Sequence, residues 1–290
     1  MSFVLEVTGL TYRYPAGVAP ALREVSFHLR SGEFLGIVGP SGAGKSTLCA
    51  ALAGLVPHFF GGQMEGRVLV GGLDSRQTSV ADLTRHVGLV LQNPFTQLSG
   101  VKETVETEVA FGLENRGIAR AEMRERVADA LERLGLAALR DRHPFTLSGG
   151  QMQRLAIASV LVMRPGILVC DEPTSQLDPA GVREVMDLLA DLHRGGTTIV
   201  LVEHRTSLLA EMAARVLLLR DGSVLADGSP REVLGREDLE RLGVRSPLPA
   251  SVYRQVRDLL PPGTPVPLTV AEARGTFLPL VSAGGGEKLS

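Results

Sequence analysis

Phe34-Leu-Gly-Ile-Val38 runs directly into Gly39-Pro40-Ser41-Gly42-Ala43-Gly44-Lys45-Ser46-Thr47, and a helix-compatible stretch follows as far as Leu55. A short unbroken apolar run ending at glycine reads as a strand buried on both faces, as in a parallel sheet. The loop after it fits Gly-x-x-x-x-Gly-Lys-Ser/Thr, in the strand, loop, helix setting that gives the pattern its meaning. Roughly 0.005 such matches would arise by accident in a chain of this composition, even before that setting is required. The glycines let consecutive backbone N–H groups turn inward around an anion, and the helix start adds about half a positive charge. Lys45 is placed to reach the β- and γ-phosphates of a nucleoside triphosphate, and Ser46 to coordinate Mg²⁺. Ser41 and Thr47 serve as readily in helix capping as in ligand contact.

Further along, Ile167-Leu-Val-Cys170-Asp171-Glu172 is a second buried strand that ends in two carboxylates. Ligands of open α/β sheets bind outside the C-terminal ends of the strands, so this pair is expected beside the phosphate loop. Asp171 would enter the Mg²⁺ shell, and Glu172 would orient and deprotonate an attacking water. Leu147-Ser148-Gly149-Gly150-Gln151 opens another helix-compatible run, Met152 to Met163. By the same N–H and dipole argument it offers a second anion site.

The remaining pattern places these motifs in an α/β fold. Val4 to Val7 and Val25 to Leu29 alternate as antiparallel edge strands, Arg67 to Val70 as a hairpin strand, and Val87 to Leu91 as a buried strand. From Val101 to Leu139 the texture becomes helical, with Met123, Val127, Leu131 and Leu134 on one face. A helix from Pro179 to His193, a strand from Thr197 to Glu203, and a hairpin of Val216 to Leu219 with Val224 to Asp227 complete the pattern. The sheet is expected to be mainly parallel and covered on both sides. Beyond Gly235 the pattern decays: seven of the 17 prolines fall between Pro247 and Pro279. That stretch reads as an appendage with short helices around Val252 to Leu260 and a flexible end.

Composition limits the function classes. Thirty Lys and Arg against 32 Asp and Glu give a net charge of −2, without the cationic footprint of a nucleic-acid binder. The longest apolar run, Leu155 to Met163, falls far short of the roughly 20 residues that span a bilayer. Met1 to Leu10 lacks the features of an export signal, and Cys49 and Cys170 read as reduced core thiols. A cytoplasmic setting is expected.

These motifs, in this order, resemble the ATP-binding-cassette (ABC) family, whose signature is Leu-Ser-Gly-Gly-Gln. The likeness covers about Val4 to Gly228 and implies a P-loop (RecA-like) fold with a helical subdomain at about 93–160, inside a cassette of residues 1–234. An extension of residues 235–290 follows it. It implies ATP and Mg²⁺ as ligands, with the Ser148, Gly149, Gly150 and Gln151 of one subunit closing on the ATP of another in a head-to-tail dimer. It further implies that Tyr14 stacks on adenine, with Tyr12 the alternative. Gln92 is then the loop glutamine that senses Mg²⁺ and the membrane partner. Asp178 lies in the loop joining the two sites, although before Pro179 it suits a helix N-cap equally well. His204 corresponds to the switch histidine at the γ-phosphate.

Within that family, Gln92-Asn-Pro-Phe-Thr-Gln97-Leu98, Thr104-Val-Glu, Glu108-Val-Ala-Phe-Gly-Leu-Glu-Asn115, Gly54-Leu-Val-Pro-His58 and Leu201-Val-Glu-His204 are similar to ATPase subunits of energy-coupling-factor transporters. This resemblance implies a peripheral subunit at the cytoplasmic face of the membrane. It would pair with an identical or paralogous ATPase and drive a membrane scaffold that holds a binding protein for a vitamin or transition-metal ion. Another class of ABC transporter shares the same chemistry. A soluble ABC ATPase acting on ribosomes or DNA more often carries two cassettes or a long coiled-coil insertion.

Overall fold

The computed structural model describes residues 3–284. In chain order they form β1 (Phe3–Arg13), β2 (Leu22–Arg30), β3 (Phe34–Val38), α1 (Lys45–Leu52), β4 (Gln63–Val70), β5 (Leu73–Asp74), α2 (Val80–Leu83) and β6 (Val87–Val90). A helical region of α3 (Val105–Asn115), α4 (Arg120–Arg133) and α5 (Gly149–Leu161) comes next. The chain then returns through β7 (Ile167–Asp171), α6 (Pro179–Arg194), β8 (Thr198–Val202), α7 (Thr206–Met212), β9 (Arg215–Arg220), β10 (Ser223–Gly228) and α8 (Pro230–Leu234). Two further helices, α9 (Leu248–Val256) and α10 (Val270–Gly284), close the described chain.

Six strands form one sheet in the order β10-β9-β3-β8-β7-β6, all parallel except the antiparallel edge strand β10. β3, β7 and β8 are buried at every position, which is why their sequences run apolar without alternation. Leu35 and Ile37 face α1 and the N-terminal strands, whereas Phe34 and Val38 face a second core shared with the helical region. The remaining antiparallel strands form a separate four-stranded sheet, β2-β1-β4-β5. The hairpin expected of Val216 to Leu219 with Val224 to Asp227 is formed by β9 and β10, whereas β1 and β2, expected at the edge of the parallel sheet, belong to a sheet of their own. Alternation reports one buried face and is silent on which sheet lies beneath it.

Of the expected face, Val127 and Leu131 of α4 and the following Leu134 are buried and Met123 is partly so; they share one core with Leu113 of α3 and Leu155 of α5. Thr104 caps α3 through a reciprocal pair with Thr107. The extension differs from the appendage expected. Leu239, Val244, Ala250 and Leu268 are buried in the same core as α5 to α7, and Arg231 pairs with Glu272. α9 starts four residues before Val252, and α10 had no counterpart in the expectation, because Gly275 and Pro279 interrupt the helical signal of its alanines. The flexible end expected in the closing residues falls largely outside the described residues.

Candidate functional site

Gly44 adopts φ +99° at the start of α1, and a Cβ there would lie 2.5 Å from the Ala21 carbonyl oxygen, so only glycine closes the phosphate loop in this shape. Lys45 is buried beneath the loop and donates from Nζ to the carbonyls of Gly39 at 3.0 Å and Pro40 at 3.1 Å. Burial lowers its pKa, opposed by the nearby Glu172 and Asp171 carboxylates. The ammonium is thus held on backbone oxygens of the phosphate loop.

β7 delivers Asp171 and Glu172 to the same end of the sheet. Glu172 sits at φ +50°, a left-handed conformation that costs a residue with a Cβ on the order of 1 kcal/mol and is found at functional positions. Its Oε2 accepts a hydrogen bond from Gln92 Nε2 at 2.8 Å, its Oε1 lies 2.7 Å from His204 Nε2, and Lys45 Nζ is 3.8 Å from Oε1. Three residues proposed from separate motifs, Gln92, His204 and Lys45, therefore meet at the Glu172 carboxylate.

Asp171 is buried, and its Oδ1 has no hydrogen-bond partner. Burial raises its pKa, while the Ser46 hydroxyl and Lys45 pull it down. An orphaned buried carboxylate oxygen beside a hydroxyl is a hard-oxygen donor set of the kind Mg²⁺ takes together with phosphate oxygens. No cluster of three or more His, Cys, Asp or Glu that could hold a metal occurs among the described residues.

Tyr14 is half-buried, and its hydroxyl lies 3.2 Å from Thr47 Oγ1 at the end of the phosphate loop. Tyr12 is wholly buried and donates its hydroxyl to the Gly61 carbonyl, so it offers no face to a base. Asp178 caps α6, accepting from Gly181 N at 2.8 Å, and Ser175 of the same loop lines the phosphate cleft. Ser148 and Gln151 form a reciprocal cap at the start of α5. Ser148, Gly149 and Gly150 do not line the cleft of about 410 Å³ that Gly39, Ser41, Glu172 and His204 share.

Sequence reasoning gave no role to two organising side chains, the buried Glu203 and the half-buried Gln97. Glu203 accepts the backbone N–H groups of His204 and Arg205 through Oε1, while Oε2 takes the Thr174 hydroxyl. Gln97 accepts from Leu91 N at 2.8 Å and donates to the Ala156 carbonyl of α5 at 2.9 Å, linking the Gln92 loop to the signature helix. Only their positions next to His204 and in the Gln92 segment could have flagged them. Beside Gln97 a groove of about 480 Å³ runs between the parallel sheet and the helical region, lined by Val80, Glu108, Phe111, Arg116 and Met163.

A phosphate loop, paired carboxylates, a glutamine and a histidine gathered at the C-terminal ends of parallel strands define a P-loop nucleoside triphosphatase. Residues 22–175 match the family described as ABC transporter. A candidate ABC transporter ATP-binding protein of Pyrococcus abyssi is 50% identical over 246 residues, 84% of this chain and 87% of the relative. The energy-coupling factor transporter ATP-binding protein EcfA1 of Lacticaseibacillus paracasei is 43% identical over 249 residues, 85% of this chain and 87% of its own length. The structure of CbiO1 from Clostridium perfringens, part of the ABC transporter complex cbiONQ, superposes with a TM-score of 0.72 at 32% identity. That superposition covers 89% of this chain and 98% of CbiO1. The chain belongs to the ABC transporter family, as an ATP-binding and ATP-hydrolysing protein.

Proposed function

We propose that this ATPase energises an energy-coupling-factor type importer for a vitamin or a transition-metal ion, working at the cytoplasmic face of the membrane. Its likeness to EcfA1 and CbiO1 carries this reading. None of the helices in the described residues is long and apolar enough to cross a membrane, so motion must pass to a partner that does. The groove beside Gln97 suits that partner, a membrane scaffold holding a separate substrate-binding membrane protein, because it adjoins the Gln92 loop.

In this reading Gly39 to Thr47 and Lys45 hold the triphosphate, Tyr14 the adenine, and Glu172 takes the proton of the attacking water while His204 contacts the γ-phosphate. Ser46, Asp171 and Gln92 would hold Mg²⁺, which neutralises charge on the phosphate oxygens. Because the Ser148 to Gly150 segment lies outside this chain's own cleft, a second ATPase, identical or paralogous, brings its signature to complete the site, with Asp178 in the loop between the two sites.

Purification from membranes in mild detergent tests the reading. The expected companions are a multispanning scaffold and a small substrate-binding membrane protein. Recovery with the permease of another ABC class, or with ribosomes, would overturn it.

A further inference from the structure

The residues that line the phosphate cleft include three from the C-terminal extension: Gly243, Val244 and Arg245 stand with Ser41, Glu172 and His204 around the same cavity. Two contacts fasten this segment to the catalytic loops. Gly243 adopts φ +81° and approaches the phosphate loop so closely that a Cβ there would lie 2.9 Å from Pro40 Cβ. Thr206, buried two residues beyond His204, donates its hydroxyl to the Arg245 carbonyl at 2.9 Å. The segment is itself anchored, since Val244 sits in the core and Arg254 bonds both Ser246 Oγ and the Arg236 carbonyl.

The His204 side chain is half exposed, so packing alone does not aim it. Its loop is held on one side by the Glu203 carboxylate and on the other by the bond from Thr206 to Arg245. We propose that residues 243–245 are a strap that positions the His204 loop against the phosphate loop, with Thr206 as the positioning residue through which the strap acts. The extension then belongs to the hydrolytic cleft of its own chain, whatever membrane partner that chain drives.

The test uses the full chain, with steady-state ATPase rates, nucleotide affinity by fluorescence, and thermal melting. Thr206→Val keeps the shape and removes the hydroxyl. It is expected to lower kcat roughly 10-fold, within the range that misplacement of a catalytic group produces, while KM and ATP affinity stay within about twofold. Thr206→Ser should restore kcat to within about twofold, because the bond to Arg245 is remade. Gly243→Ala, which pushes the strap off Pro40, should reproduce the loss, and the two losses should not add, since both break one device. A Thr206→Val enzyme with normal kcat would overturn the proposal. So would failure of rescue by serine, or a loss of kcat, ATP affinity and melting temperature together, since that describes general unfolding.

Discussion

Gln92 Nε2 donates to Glu172 Oε2 at 2.8 Å, joining residues 80 positions apart. The other oxygen of the same carboxylate faces His204, so Glu172, the proposed base, is held from two sides by side chains on separate loops. Such a hub lets the base respond to movement of either loop, and Gln97 extends the connection to α5. In the proposed reading Glu172 takes the proton of the attacking water, and Lys45 and the phosphate loop hold the nucleotide.

Glu172→Gln should therefore bind ATP normally and turn it over roughly 10²–10⁴-fold more slowly, the usual loss when a general base is removed. Phosphate release measured beside equilibrium binding checks this; wild-type turnover would reassign the base.

The two neighbouring tyrosines should separate cleanly. Tyr14→Ala is expected to weaken ATP binding by about 1 kcal/mol, roughly fivefold, through loss of stacking, with little change in melting temperature. Tyr12→Phe removes the hydrogen bond to the half-buried Gly61 carbonyl and should lower stability by about 1 kcal/mol while leaving affinity alone. The reverse pattern in calorimetry and melting would exchange their roles.

Lys45→Met should abolish ATP binding and yet raise the melting temperature of the nucleotide-free protein. Burial lowers the lysine pKa in the fold, so the charged form is worse off folded than unfolded. The resulting handicap is full below the folded pKa and fades as pH rises towards the ordinary value of 10.5. The gain from Met should accordingly be present at pH 7 and shrink in strongly alkaline buffer, as pH-dependent melting curves would show.

Glu272 accepts the Leu268 N–H and pairs with Arg231, and these contacts hold its carboxyl below the usual range. A lowered acid pKa gives stability that is present above the ordinary value of 4.5 and disappears as pH falls through the folded value. Glu272→Gln should loosen α10 against α8 at pH 7 and make little difference once the pH has fallen below the lowered folded value. Amide exchange of residues 266–276 reports this, and equal exchange in both proteins at pH 7 would count against the anchor.

Much of the site was legible because its chemistry depends on short, contiguous patterns. The run into Lys45 and the acids at 171 and 172 carry their strand context with them, and burial of all five positions in β3 and β7 matches the unbroken apolar text. Glu203 was hidden, since a carboxylate at a strand end gives no sign of whether it meets solvent or backbone N–H groups. Gln97 was hidden for the same reason: its partners, Leu91 and Ala156, lie six and 59 residues away. The extension misled because prolines suggest solvent-exposed linkers, whereas here they lie between buried anchors such as Val244, Ala250 and Leu268.

The residues alone determined a triphosphate-cradling loop, the acids that serve it and the α/β class, because hydrogen-bonding capacity, charge and local periodicity are properties of short segments. Tertiary structure decided that Gln92, His204 and Lys45 converge on Glu172, that the N-terminal strands form their own sheet, and that residues 243–245 return to the cleft. Each of these depends on contacts between segments distant in the chain, where side-chain packing and backbone pairing, rather than local pattern, select the partner.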